Sequence, residues 1–151
     1  MAMNELPFEH IELELSILAR LVASATTYKE EGMLDRSAYL LLQQISSRRS
    51  AGVKALADDF RLDISTVSRQ SAALEQKGLV CRIPNPQDGR SYSLELTETG
   101  ALALEANRKV RAGYIAELLT EWSDEEREQF GALLEKFNRA VLHETQAAKR
   151  P

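Results

Sequence analysis

Residues 65–70, Ser-Thr-Val-Ser-Arg-Gln, crowd hydroxyl, amide and guanidinium groups into two helical turns, and Asp88-Gly89-Arg90 offers a second arginine in turn-forming company. No nucleophile motif with a nearby base, phosphate loop, dinucleotide fingerprint or His-Glu-x-x-His pattern accompanies them, so an enzyme is not expected. The chemistry they offer is recognition. An arginine fork can bond O6 and N7 of a guanine together, a contact worth about 1–3 kcal/mol of discrimination. Short Ser and Thr side chains let a helix start come close to DNA, and flanking polar groups such as Ser68 and Gln70 suit phosphates.

Overall charge alone would argue against such a role, since the 151 residues carry a net −4. The distribution argues for it. Between Arg48 and Arg90 stand eight basic residues (Arg48, Arg49, Lys54, Arg61, Arg69, Lys77, Arg82, Arg90) against five acidic ones, a local +3, while the remainder holds 11 basic and 18 acidic residues. A basic middle third in an acidic chain is the footprint of a confined polyanion-binding surface. Lys54 and Arg82 therefore join Ser65, Thr66, Ser68, Arg69, Gln70, Asp88 and Arg90 as the expected DNA-binding set.

Helices and a hairpin must position these groups. Phe8, Ile11, Leu15, Leu18, Val22 and Ala25 recur at spacings of three and four, predicting a long helix over 8–31 with Gly32 placed to end it. Asp35 is placed to cap a second helix carrying Ala38, Leu41, Leu42 and Ile45, and a short third helix is expected at about 53–60. Asp63 is expected to cap a fourth, with Ile64, Val67, Ser71 and Leu74 inward, Ser65, Thr66, Arg69, Ala73 and Gln76 outward, and Gly78 at its end. Two short helices joined by a tight turn make a helix-turn-helix. The period then falls to two in "LVCRI" and "SYSLEL" around "PNPQDG", predicting a hairpin with a longish tip. Its tip arginine, Arg90, is placed for a minor groove, and Asp88 for accepting hydrogen bonds from an arginine or from the turn's amides.

After Thr97, a second cap, a helix over about 98–120 and another opened by the Ser123–Glu126 capping box carry further apolar stripes, including Phe130, Leu133, Leu134, Phe137, Val141 and Leu142. The fold class expected is mainly α with a small β-hairpin wing: a winged helix-turn-helix domain at 35–97, plus a helical dimerisation region at 8–31 and 98–145. Those stripes are too long for one small module to cover, so a second copy is their natural cover.

"LADDFRLDISTVSRQSAALEQKGLVCRIPNPQDGRSYSLELTETG", flanked by one long helix before and two after, resembles the MarR family of bacterial transcriptional regulators. The likeness spans about residues 8–145 and is most specific in "TVSR", "LEQKGLV", "DGR" and "LTETG". It implies a homodimeric regulator, a ligand-responsive repressor of a palindromic operator, relieved by small phenolic or lipophilic effectors or by oxidants. Ser65, Thr66, Ser68, Arg69 and Gln70 match the recognition helix, and Asp88 and Arg90 the wing. An effector pocket between the long helices and the winged helix is implied, for which Tyr28, Tyr39 and Trp122 are compositional candidates.

Three departures stand out. Arg61 replaces a frequent glycine, making a left-handed turn less comfortable there. Gln70 and Ser71 replace a commonly apolar pair, and Ser71 could bond back to the Val67 carbonyl. The amino-terminal cysteine of the peroxide-sensing branch is absent. The one cysteine, Cys81, excludes an intrachain disulfide and a cysteine-cluster metal site, and His10 and His143 lack metal-ligand spacing, so neither metal nor cofactor is expected. The acidic start MAMNELPFEHIELE is unlike a signal peptide and no apolar run reaches membrane-spanning length, so a cytoplasmic address is expected. Two other readings use the same residues: a winged-helix adaptor that binds a protein, and a thiol-based redox regulator acting through Cys81.

Overall fold

A computed structural model describes residues 6–25 and 32–148. They form six helices and one two-stranded antiparallel sheet. The chain divides into two units, residues 1–33 and 34–151. The first contains α1 (Leu6–Ala25), whose Phe8, Ile11, Leu15 and Leu18 are all exposed. The rest of the helix expected to reach residue 31, with Tyr28, lies outside the described residues.

The second unit holds α2 (Arg36–Arg48), α3 (Val53–Phe60), α4 (Ile64–Gln76), β1 (Val80–Asn85), β2 (Asp88–Leu96), α5 (Glu98–Leu118) and α6 (Asp124–Ala148). Its core gathers Leu41, Leu42 and Ile45 of α2, Leu56 of α3, Val67 and Leu74 of α4, Leu79, Val80 and Leu94 of the hairpin, and Leu104 of α5. Burying each such side chain contributes about 1.5–3 kcal/mol, so this one cluster fixes the helix-turn-helix, the wing base and the start of α5 together.

The expected caps form at three helix starts. Asp35 accepts from Ala38 N at 2.8 Å, Thr97 Oγ1 from Gly100 N at 3.0 Å, and Ser123 and Glu126 exchange reciprocal bonds of 3.1 and 3.0 Å. Asp63 stands at the N-cap of α4 but its carboxylate makes no capping bond, a correction to the expected role. Arg61, at φ 57° and ψ 36°, takes the left-handed conformation between α3 and α4 in spite of its Cβ, because its N–H is needed there to close the end of α3 on Ala57 and Asp58 carbonyls.

The hairpin differs from expectation at its tip. Residues 86–87 form the turn, with Asn85 Oδ1 accepting from Gln87 N at 3.0 Å, while Asp88 and Gly89 already belong to β2. The asparagine turn and the preset φ of Pro86 override the Asp-Gly signal, and the tip is short. A further pairing was not legible in the sequence: Ala51, between α2 and α3, exchanges both backbone bonds with Leu94 at 3.1 and 2.8 Å, tying the wing's second strand to the helix-turn-helix.

At the other end of the wing, Thr97 Oγ1 donates to the Gly78 carbonyl at 2.6 Å, and Thr97 N to Leu79 O at 3.1 Å. Gly78, at φ 74°, ends α4 in a conformation that glycine takes readily. Gly100 lies so close that a Cβ would stand 1.9 Å from Leu79 O. Two turns further, Asn107 is buried and its Oδ1 accepts from Leu34 N at 2.9 Å, while Arg111 donates to Leu34 O at 2.7 Å and lies 4.3 Å over the Tyr39 ring. Helix α5 thus grips both polar groups of the residue that leads into α2.

Candidate nucleic-acid interface

Helix α4 buries Val67, Ser71 and Leu74, a stripe at spacings of four and three, and turns Ser65, Arg69, Ala73 and Gln76 to solvent, with Thr66, Ser68 and Gln70 on the flanks half-buried. Two inner-arc expectations need correction. Ile64 is 53% exposed, because the first turn of α4 projects beyond the core toward the wing. The buried Ser71 hydroxyl makes no bond to the Val67 carbonyl or to any other group described.

Lys54, Ile64, Ser68, Ser91 and Tyr92 line one cleft of about 280 Å³. The beginnings of α3 and α4 and the wing strand therefore meet, bringing Lys54 and Ser68 to a common place beside Arg90's neighbour Ser91. Arg90 is exposed on β2, and its own N–H is held at 3.0 Å by Asp88 Oδ1. Asp88 accordingly accepts from a backbone amide at the start of β2, beside the turn.

Charge on this face is smaller than the count of basic residues implies. Arg48 makes two bonds to Asp59, Nε to Oδ2 at 2.7 Å and Nη2 to Oδ1 at 2.6 Å, and this arginine with a Gln44 amide bond holds the Asp59 carboxyl below the usual carboxylate range. Arg82 donates from Nε to Glu75 Oε2 at 2.9 Å and lies 4.4 Å over the Tyr92 ring. Both residues brace elements against one another: Arg48 joins α2 to α3, and Arg82 joins α4 to both strands. Arg82, placed in the DNA-binding set from sequence, is thus already occupied. Among the described residues, no ion pair holds Lys54, Arg69 or Arg90.

The remaining candidates are scattered. Cys81 is half-buried on β1 opposite Glu95. Trp122 packs edge-on against Phe130 at 5.3 Å, an anchor for the start of α6. His10 lies on α1 and His143 on α6, both exposed. Among the described residues no group of His, Cys, Asp and Glu could hold a metal ion, and no helix is long and apolar enough to cross a membrane.

Comparison with known proteins bears on this geometry directly. The sequence profile of the MarR family matches residues 34–92, which run from the Asn107-held Leu34 to the wing. The uncharacterised HTH-type transcriptional regulator YxaD of Bacillus subtilis is 44% identical over 140 residues, spanning 92% of this chain and 98% of that protein. The chain belongs to the MarR family. It is a transcriptional regulator of helix-turn-helix type with the winged-helix fold of that family. Solved MarR-family folds include a point mutant of MarR from E. coli complexed with operator DNA, at a TM-score of 0.61 and 24% identity over 82% of this chain and 95% of that one. They also include the PcaV transcriptional regulator from Streptomyces coelicolor in complex with its natural ligand, at 0.65 and 22% over 93% and 99%. At these identities the likeness is one of fold. Within the MarR fold "TVSR" lies on α4, with Thr66 and Ser68 on its flanks, Val67 buried and Arg69 on its outer face; "DGR" lies on β2, and "LTETG" forms the β2–α5 junction.

Proposed function

We propose that this MarR-family chain binds an imperfectly palindromic operator as a homodimer and represses transcription until a small phenolic or lipophilic effector releases it. The observation that carries the DNA-binding part is the outer face of α4, where Ser65, Arg69 and Gln76 stand exposed beside a cleft that holds Lys54, Ser68 and Ser91. In the proposed complex, Arg69 reads a base edge in the major groove. Lys54 and Ser68 meet a phosphate, Arg90 reaches the adjacent minor groove, and Arg82 orients the wing. Residues 35–97 form the DNA-binding module. Residues 8–31 and 98–145 supply the dimer interface, a reading supported by exposed Phe130, Leu133, Leu134, Phe137 and Val141 at helical spacing on α6, of which no described residue is buried. Two-fold symmetry then sets the recognition helices roughly 34 Å apart. The operator complex and the ligand complex of related folds support the same reading for this chain.

Selection of bound duplexes from a random pool, followed by affinity measurement over a salt series, tests the proposal. The expected result is a two-fold symmetric motif with half-sites about ten base pairs apart. Arg69→Ala should relax preference at one position per half-site by about 1–3 kcal/mol, and Arg90→Ala should weaken all sequences and reduce the salt slope by about one per subunit. Failure to enrich any motif, with little salt dependence, would favour a protein-binding winged helix.

A further inference from the structure

An acidic residue on a helix that reads DNA calls for an explanation, because its charge repels the phosphates nearby. Glu75 is that residue on α4. It shares one flank of the helix with Ile64 and Ser68, since steps of four and then seven residues return to within about 40° of the same direction. That flank faces the wing. Near the start of α4, Ile64 and Ser68 border the cleft that Ser91 and Tyr92 of β2 also line. Near its end, Glu75 Oε2 accepts from Arg82 Nε at 2.9 Å, and the same guanidinium lies 4.4 Å over the Tyr92 ring. Ser68 and Glu75 are about 10 Å apart along the helix axis. Two separated points fix the direction of the wing against α4, where one alone would act as a pivot. Arg90 stands two residues from Tyr92 on β2, about 7 Å along the strand.

We infer that Glu75 is a positioning residue for the operator contact, an inference that rests on the operator-binding reading above: acting through Arg82 and Tyr92, it holds Arg90 at the distance from Arg69 that a half-site requires, so that an acidic side chain raises affinity for DNA. The planar guanidinium of Arg82 serves both partners at once, bonding Glu75 in its plane and stacking on Tyr92 by its face, which an ammonium group does not do. The side chains of Arg82 and Glu75 are 47% and 38% exposed, so the pair contributes little to folding and its removal leaves the module intact. What its removal costs is order in the wing, because a loosened Arg90 must be fixed when DNA binds. The loss caused by removing Arg90 itself is therefore the ceiling on the effect.

The test measures the affinity of the full chain for the duplex that the wild type selects, with Glu75→Ala, Arg90→Ala and the double variant. Alanine is a better helix former than glutamate and carries no negative charge, so propensity and electrostatics alone make Glu75→Ala bind more tightly. The brace predicts the opposite sign, a loss of about fivefold while Arg90 is present. In the Arg90→Ala background nothing is left to position, and the same change should be neutral or raise affinity. Equal losses in both backgrounds would mark a general structural defect, and no loss in either would make Glu75 a bystander; each overturns the inference. Arg82→Lys, which keeps the charge, should lose about as much as Glu75→Ala, and wild-type affinity in that variant would overturn it too. A measurement without DNA separates the brace from the operator reading. In the free chain, Glu75→Ala should lower the backbone order parameters of residues 87–91 from about 0.85 toward 0.6 and leave those of α2 unchanged. An unchanged wing would overturn the brace whatever the DNA result, whereas a loosened wing in a chain whose wild type binds no duplex would support the brace and overturn the operator reading.

Discussion

Replacing Asn107 by alanine probes the clasp between α5 and the residue that leads into α2. Asn107 is 2% exposed, with Oδ1 accepting from Leu34 N at 2.9 Å and Nδ2 donating to Ala103 O at 2.8 Å. Truncation strands the amide of a buried leucine, which costs about 1–3 kcal/mol. The Ala103 carbonyl loses less, because position 107 still supplies its backbone N–H to that oxygen as part of α5. Loss of the amide group also leaves a void of roughly 30 Å³, adding about 0.7 kcal/mol if the surroundings do not collapse. The expected sum is about 2–4 kcal/mol. Urea unfolding at one fixed protein concentration measures it, and the midpoint should fall with the slope unchanged. Asn107→Leu separates the contributions: it restores volume but not the acceptor, and should remain destabilised by at least about 1 kcal/mol. A loss below about 0.5 kcal/mol in both variants would mean that the Leu34 amide finds another partner, and the clasp would not be what orders the start of α2.

Three more outcomes follow from particular geometries. Gly100→Ala puts a methyl group 1.9 Å from a backbone oxygen that cannot rotate away, so a loss of about 3 kcal/mol or more is expected in thermal or urea unfolding, and a near-neutral variant would refute the close approach of α5 to Leu79. Arg61→Gly relieves a left-handed residue at about 1–2 kcal/mol while adding about 0.5–1 kcal/mol of chain entropy to the unfolded state, so a gain of about 0.5 kcal/mol is expected; a measured loss would show that the arginine side chain outweighs its backbone. Asp59 has its folded pKa lowered from 3.8, chiefly by the hydrogen bond from Arg48, so its contribution is complete above the unfolded value and disappears as pH falls through the folded one. The stability gap between the parent and Asp59→Asn should accordingly be present at pH 7 and close below about pH 4, with a pH-independent gap as the contrary result. The gap itself should be modest, since the pair is partly exposed.

Most of the candidate interface was legible because its residues fall largely on one helix. A 100° step per residue places Val67, Ser71 and Leu74 inward and Ser65, Arg69, Ala73 and Gln76 outward, and the structure keeps that division. The same step puts Ile64 inward, and there it fails, because periodicity knows the helix's own axis but not how far the neighbouring core extends along it. The count of basic residues failed for a related reason. Arg48 and Arg82 find Asp59 and Glu75 eleven and seven positions away on different elements, so the period of no single helix or strand links the partners. The Ala51–Leu94 bridge and the Gln44 amide likewise join residues that only the folded chain brings together.

The "LTETG" motif shows what such a reading leaves implicit. As sequence it is a cap, and it does cap α5. In the fold the same threonine also donates its hydroxyl to the carbonyl of Gly78, the residue that ends α4, and its backbone N–H to the carbonyl of Leu79, which leads into β1. The close seat of Gly100 on Leu79 removes the space in which α5 could slide over that junction. The recognition helix and α5 are therefore joined by interlocked backbone, with no flexible linker between them, and the Asn107 and Arg111 bonds to Leu34 fix a second point of the winged helix to α5. Two such points constrain rotation as well as translation. A displacement of α5 must then carry α4 with it, so that in a dimer built on α5 and α6 the spacing of the recognition helices would follow the geometry of the helical region.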